Sequence, residues 1–163
     1  ASRLASDLRV RFEDLEVEVV PTASEAVREA DIVCTLTPSE SPLFDDEALK
    51  GGVHLNAVGA FRPVMCELPP ATVRRARVFV DQRAAAVVEA GDLIQAVDAG
   101  QFSWDDVAGE IGEVASGGVQ GRTSDDEVTL FKSVGMSLQD AACAGAALRH
   151  ASGVGLGTLI DWP

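Results

Sequence analysis

Short apolar runs alternate with amphipathic stretches along most of the chain, a pattern that predicts strands separated by helices. Strands are predicted at residues 17–20 (VEVV), 32–37 (IVCTLT), 53–59 (VHLNAVG) and 77–81 (RVFVD). The run at 32–37 has almost no polar alternation, which is typical of a strand buried on both faces of a parallel sheet. The first half of the chain is therefore predicted to form βαβ units.

Helices are predicted between these strands and more densely after residue 81. Their expected ranges are 1–10, 22–30, 45–50, 69–75, 82–90, 92–99, 105–115 and 135–151. Thr22, followed by Glu25, has the pattern of a capping box. Residues 119–126 (VQGRTSDD) read as a polar loop. Residues 128–133 (VTLFKS) fit a strand but could equally begin a helix.

Length and composition fit one globular domain with a sizeable core, since the 163 residues are 47% hydrophobic and 24% charged. The net charge of −13 repels phosphate groups, which argues against a nucleic acid or an anionic membrane surface as partner. No apolar run is long enough to span a bilayer, and no signal peptide is visible. The three cysteines show no CxxC spacing, so neither a disulfide framework nor a metal site is expected. We expect a reduced, cytoplasmic protein.

Candidate binding positions follow from the rule that parallel α/β sheets bind ligands at the carboxyl ends of their strands. The rule selects residues 37–39, 56–61, 81–83 and 133–135. Gly59 would let the backbone approach a flat ring or a ribose closely, or it simply turns the chain. The phosphate-binding fingerprint GxGxxG is absent.

Acid–base candidates are few. Glu89 and Asp92 lie around a predicted turn, and Glu110 and Glu113 lie one helical turn apart. Such short pairs can do acid–base work but are more often a solvated face in an acidic protein. Pattern and composition therefore predict a protein that binds a nucleotide-sized ligand and specify no reaction.

Several segments, in one order and at matching spacing along nearly the whole chain, resemble the ornithine cyclodeaminase/mu-crystallin family. They are 30–39 (ADIVCTLTPS), 54–60 (HLNAVGA), 78–81 (VFVD), 89–92 (EAGD), 109–114 (GEIGEV), 121–127 (GRTSDDE), 131–135 (FKSVG) and 139–140 (QD). The resemblance implies an α/β fold with a Rossmann-like doubly wound parallel sheet, NAD or NADP as cofactor, a small imino or amino acid substrate and a homodimer.

The resemblance also implies a domain division. Residues 1–134 would form a partial NAD(P)-binding domain that lacks the first strands and the glycine turn. Residues 135–163 would be a long helix and tail that return to a substrate-binding and dimerisation domain. The strand order 3-2-1-4-5-6 would place two missing strands between residues 17–20 and 32–37. We therefore expect the isolated chain not to fold cooperatively.

The family's site residues carry over to this sequence position by position. The dinucleotide would be bordered by Thr37 and Ser39. The nicotinamide ribose would lie over Asn56, Ala57, Val58 and Gly59, and the nicotinamide itself would be reached by Ser133. The substrate would be contacted by Val134 and Phe61, and Glu89 would face the substrate pocket as the catalytic candidate. Lys132 and Asp92 would support that pocket.

Phe61 departs from the family pattern. Ornithine cyclodeaminases carry an Asp at the corresponding position, where it grips the distal amine of the substrate. An apolar ring cannot hold an ammonium group by a charge-assisted hydrogen bond. The sequence thus favours hydride transfer to or from the α-carbon of a small imino or amino acid, as in ketimine or pyrroline-carboxylate reductases and alanine dehydrogenases. The alternatives are a true ornithine cyclodeaminase and a non-catalytic NAD(P)H-binding protein.

Overall fold

A five-stranded, wholly parallel sheet forms the centre of the molecule in the computed structural model, which describes residues 1–160. Its strands are β1 (Ile32–Thr35), β2 (His54–Ala57), β3 (Arg77–Val80), β4 (Gly109–Glu110) and β5 (Thr129–Lys132). Their order across the sheet is β1-β2-β5-β3-β4. The α/β fold with a Rossmann-like parallel sheet is thereby confirmed.

Seven helices are present among the described residues, and the predicted helix at 45–50 is reduced to a 3₁₀ turn. They are α1 (Ser2–Arg11), α2 (Ala23–Val27), α3 (Pro70–Arg75), α4 (Arg83–Glu89), α5 (Gly91–Asp98), α6 (Ile111–Ala115) and α7 (Ser137–Val154). Short 3₁₀ turns lie at Asp46–Ala48 and Trp104–Asp106. The hydroxyl of Thr22 accepts a hydrogen bond from the backbone N–H of Glu25, which is one of the two hydrogen bonds of the predicted capping box.

The last strand is central. Leu130 of β5 lies opposite Leu55 of β2 on one side and opposite Val78 of β3 on the other. The ambiguous segment 128–133 is thus a strand, and it separates two strands that follow one another in the chain. Because all neighbours are parallel, the carboxyl ends of β1, β2, β5 and β3 lie side by side along one edge of the sheet.

The predicted helix over 105–115 is wrong as a single element. The backbone N–H of Ala108 donates to the carbonyl of Val78 over 2.7 Å, and Gly109 pairs with Phe79. The edge of β3 offers backbone partners to this segment, and that pairing competes with a continuous helix. Only Ile111–Ala115 keeps the helical conformation.

The predicted strand at 17–20 is also absent, since these residues have no assigned strand structure. A strand is stabilised by hydrogen bonds to a neighbour. Among residues 1–160, no strand pairs with 17–20 or with the outer edge of β1.

The core lies on one face of the sheet. Leu55, Val78 and Leu130 are fully buried there, together with Val73 of α3 and Leu93 of α5. The opposite face is more open, because exposed and buried residues alternate along β1. Burial on both faces was therefore a wrong expectation for β1, while most of β3 and β5 is buried.

Within residues 1–160 no helix combines the length and the hydropathy needed to cross a membrane. The same residues contain no group of three or more His, Cys, Asp or Glu side chains that could hold a metal ion.

Candidate functional site

A cavity of about 560 Å³ opens where β1, β2 and β5 end. It is lined by Leu36, Thr37, Pro38, Val58, Gly59, Phe61, Ser133, Val134, Gly135 and Gln139. These residues come from three strand ends and the first turn of α7. The cavity thus occupies the edge of the sheet at which parallel α/β folds bind ligands.

The structure brings most of the predicted site residues together in this cavity. Thr37, Val58 and Gly59 lie on one side, Phe61 lies at the following loop, and Ser133 and Val134 lie on the other side. Phe61 is 44% exposed, and the guanidinium carbon of Arg62 lies 5.6 Å from the centroid of its ring.

Other predicted residues lie elsewhere. Ser39 turns away from the cavity, because its hydroxyl donates to the carbonyl of Ser41 over 2.6 Å. Asn56 lines a separate groove on the open face of the sheet, and Ala57 is buried in the core. Glu89 is exposed at the end of α4, and its carboxylate accepts no hydrogen bond from residues 1–160.

Glu67 holds the ends of β1 and β2 together from behind the cavity. One carboxylate oxygen accepts hydrogen bonds from the backbone N–H and the hydroxyl of Thr37, over 2.6 and 2.8 Å. The other accepts from the backbone N–H of Gly59 over 2.9 Å. Glu67 has no solvent exposure, so its carboxylate depends on these donors for the stabilisation that water would give.

Gly59 is required by this arrangement rather than by a turn. A Cβ atom at position 59 would lie 2.3 Å from the carbonyl oxygen of Thr37 and 2.5 Å from Oε1 of Glu67. Both distances are far below van der Waals contact. The close approach that the sequence predicted for Gly59 is therefore made, within this chain, by Thr37 and Glu67.

Asp81 forms a second clamp, between β3 and β5. Its Oδ2 accepts from the hydroxyl of Ser133 and from the backbone N–H groups of Val134 and Gly135, over 2.9, 2.9 and 2.7 Å. Gly135 has a φ of 84°, a conformation that favours glycine. Asp81 thus fixes the turn that leads from the last strand into α7.

A buried ion pair lies beneath the cavity. Nζ of Lys132 is 3.0 Å from Oδ2 of Asp92, and neither side chain has any exposure. Burial, reinforced by the negative charge of Asp92, raises the pKa of the nearby Cys66 thiol to about 11. The Cys66 Sγ donates to the carbonyl of Leu68 over 3.3 Å.

Glu67 is a residue of the candidate site that the sequence pattern did not predict. A signal was present, because an acidic residue between Cys66 and Leu68, just before two prolines, sits in an otherwise apolar segment. A lone acid in such surroundings is usually paired with donors when it is buried. The sequence could not show that its donors are Thr37 and Gly59.

The arrangement can hold a flat, largely uncharged group. Among the described residues that line the cavity none carries a carboxylate. The nearby carboxylates of Glu67 and Asp81 are both occupied by backbone and hydroxyl donors. Neither is therefore free to act as a general base towards a bound molecule.

Residues 1–152 match the sequence model of the ornithine cyclodeaminase/mu-crystallin family. A Δ1-pyrroline-2-carboxylate reductase of Bacillus cereus is 42% identical over 145 residues, which cover 88% of this chain and 44% of the relative. The mouse ketimine reductase mu-crystallin is 38% identical over 129 residues, covering 79% of this chain and 38% of the relative.

A solved structure shares the same fold. The Δ1-pyrroline-2-carboxylate reductase of Thermococcus litoralis, in complex with NADH and L-proline, superposes with a TM-score of 0.92 at 31% identity. The match covers 98% of this chain and 49% of that one. The chain thus spans about half the length of the relatives it matches.

Proposed function

The chain belongs to the ornithine cyclodeaminase/mu-crystallin family, and from that premise we propose that it is the nucleotide-binding half of an NAD(P)-dependent oxidoreductase. The reaction is hydride transfer to or from the α-carbon of a small imino or amino acid, with a cyclic imino acid as the preferred substrate. Relatives bearing reductase names over most of this chain support the proposal.

The observation that carries the choice of substrate is the apolar lining of the cavity. Phe61, Val58 and Val134 contribute to it, and none of the described lining residues carries a carboxylate. A distal ammonium group, such as that of ornithine, would find no charge-assisted partner among these residues. A planar imine with an aliphatic ring would instead bury apolar surface against them.

The residues present fit the nicotinamide end of a dinucleotide. The cavity lies at parallel strand ends, is bordered by the hydroxyls of Thr37 and Ser133, and offers apolar side chains to a flat ring. We propose that Thr37, Gly59 and Ser133 orient this group. NAD(P)H supplies the hydride when bound, and the protein supplies orientation and charge.

We further propose that residues 1–134 belong to the cofactor domain and residues 135–163 to a substrate-binding and dimerisation domain. Helix α7 supports the division, because none of its residues is buried against the sheet. Glu89 does not line the cavity of this chain. We propose it for proton transfer because its segment 89–92 resembles that of the family and because its exposed carboxylate accepts no hydrogen bond from residues 1–160.

The test is an assay of the natural polypeptide that contains this chain. NADH and NADPH oxidation is followed at 340 nm with Δ1-pyrroline-2-carboxylate and its six-membered homologue, and proline formation from L-ornithine is measured in parallel. We expect reduced nucleotide to be consumed with the cyclic imines and no proline to form from ornithine.

Each other outcome overturns the proposal in a defined way. Rapid proline formation from ornithine without imine reduction identifies a cyclodeaminase. Tight NAD(P)H binding without turnover of any imino or amino acid identifies a binding protein. A Glu89→Gln variant compared with Glu47→Gln, an exposed glutamate in a 3₁₀ turn, tests the proton-transfer role.

A further inference from the structure

We propose that the buried Asp92–Lys132 ion pair is a positioning device that couples the two walls of the cavity. One wall carries Phe61 and the other carries Ser133 and Val134. The inference rests on the proposed function for its kinetic readout, but its structural content is independent of any substrate.

Asp92 fixes the first wall through the backbone. Its Oδ1 accepts from the N–H groups of Glu67 and Leu68, over 2.6 and 3.0 Å. Glu67 in turn holds the N–H groups of Thr37 and Gly59. A displacement of Asp92 is thus transmitted to the ends of β1 and β2. The hydrogen bonds that transmit it have charged acceptors, and such bonds are stronger than those between neutral groups.

The same turn of α5 holds the loop that carries Phe61. Nε2 of Gln95 donates to the carbonyls of Pro63 and Met65, over 2.9 and 3.1 Å. A Cβ atom at Gly91 would lie 2.0 Å from the carbonyl oxygen of Met65, so only glycine allows this contact. The first five residues of α5 are therefore a platform that supports the Phe61 loop.

Lys132 connects the platform to the second wall. It is the last residue of β5, and Ser133 and Val134 follow it directly into the cavity. Its Nζ is 3.0 Å from Oδ2 of Asp92. Neither atom has a well-aligned hydrogen-bond partner among residues 1–160, so the link between the walls is the charge attraction itself.

A merely structural role does not need this pair. Two desolvated charges are often no more stabilising than well-packed apolar side chains of similar volume. Their placement between the two cavity walls is what a positioning role requires, because an apolar pair would fill the space without fixing a direction. The distinction can be measured.

The experiment uses Asp92→Asn/Lys132→Met in the natural polypeptide, which removes both charges together. The matched control is Asp46→Asn/Arg75→Met, which removes the half-buried ion pair between Asp46 and Arg75, outside the cavity. For each protein the melting temperature, kcat and KM for the cyclic imine, and amide hydrogen exchange in segments 60–68 and 132–136 are measured.

We expect the Asp92→Asn/Lys132→Met variant to fold with a lowered melting temperature, because the new side-chain amide has no buried acceptor. We expect kcat/KM to fall by about 10²-fold, as a displacement of a reacting group by about 1 Å can cause. Exchange should accelerate in both segments. The control should keep wild-type kinetics and exchange. Wild-type kcat/KM and unchanged exchange in the Asp92/Lys132 variant would overturn the proposal.

Two further readings keep the test decisive. If the wild-type protein reduces no imine, the proposed function fails, and hydrogen exchange alone then decides whether the walls are coupled. If the double variant does not fold, Gln95→Met removes only the contacts to the Phe61 loop and leaves no buried charge unpaired. Unchanged kinetics and unchanged exchange at 60–66 in that variant would reject the platform and with it the coupling.

Discussion

The hydroxyl of Ser133 donates to the carboxylate of Asp81 over 2.9 Å and so joins the ends of two neighbouring strands. The backbone N–H groups of Val134 and Gly135 donate to the same oxygen. Since three donors converge on one anionic acceptor, the turn after β5 has little freedom of its own. One wall of the cavity is thus set by a residue that does not line it.

Asp81→Asn is expected to lower the free energy of unfolding of the natural polypeptide by about 1.5–3 kcal/mol, the range for hydrogen bonds to charged groups. An amide oxygen cannot accept from the three donors with the strength of a carboxylate. Asp98→Asn, at an exposed position on α5, is the matched control and should change stability little. Equal losses in the two variants, measured by urea unfolding, would show that Asp81 is not a clamp.

Gly59→Ala is expected to be destabilising by about 1–3 kcal/mol, the usual cost of overpacking. The added Cβ would lie 2.4 Å from the backbone nitrogen of Thr37, so the strand ends that Glu67 holds must separate. Gly112→Ala in α6 is the control, because its Cβ would meet no heavy atom within 4 Å. The two variants are compared by their melting temperatures and by their NADH affinity, measured by fluorescence. An unchanged melting temperature in Gly59→Ala would mean that Glu67 does not hold the strand ends tightly.

The sequence predicts this fold well where the signal is local. The strands at 32–37 and 77–81 are built on short apolar or β-branched runs, and the helix that begins near Pro70 has proline in its first turn. Prediction from the sequence fails where the secondary structure of a segment depends on a partner that is distant in the chain. Residues 105–115 have the helical period, yet the edge of β3 draws Gly109 into the sheet. Residues 17–20 have strand composition, but no strand in the described range 1–160 pairs with them.

The candidate site, like the fold, could be predicted from the sequence only in part. Strand-end positions such as Thr37, Gly59 and Ser133 follow from the rule for parallel sheets, and the structure places them in one cavity. The residues that hold these positions do not follow from that rule, because Glu67 binds Thr37 from 30 residues away in the chain. No local pattern records which backbone groups a buried carboxylate will bind. Asn56 shows a second limit, since alternation along β2 turns its side chain to the open face.

Phe61→Asp is expected to reduce kcat/KM for a cyclic imine by at least about tenfold and to introduce measurable binding of L-ornithine. The substitution replaces an apolar wall with a carboxylate that can pair with a distal ammonium group. Phe61→Leu keeps the wall apolar and should lose less than about threefold, since a hydrophobic swap of this kind is usually tolerated. Steady-state kinetics and ornithine titration of both variants check this. Unchanged kinetics with the cyclic imine in Phe61→Asp would show that the substrate does not bind against Phe61.

Cys66 is expected to react slowly with iodoacetamide at pH 8. Its pKa of about 11, raised by burial and by the charge of Asp92, leaves only about one thiol in a thousand ionised at that pH, and the thiolate is the nucleophile. Its alkylation should therefore accelerate as the pH rises towards 11. The same thiol in urea is the control and should react about 10²-fold faster at pH 8. Peptide mass spectrometry follows the site; equal rates with and without urea would contradict the burial of Cys66.

The 163-residue chain on its own is expected not to melt in a single cooperative step. The outer edge of β1 pairs with no strand among residues 1–160, and Ile32 on that edge is 64% exposed. A groove of about 440 Å³ on the open face of the sheet exposes further apolar side chains, including Phe131. Unpaired edges and uncovered apolar surface lower the free-energy gap to partly unfolded and associated states.

Calorimetry of the chain checks this last expectation, with the natural polypeptide measured under the same conditions for comparison. For the isolated chain the van't Hoff enthalpy should fall below the calorimetric enthalpy, since α7, which buries no residue, and the β1 edge unfold before the β2–β5–β3 centre. Agreement of the two enthalpies in a sharp transition would show instead that contacts around Leu130, paired on both sides, suffice to make the whole chain one folding unit.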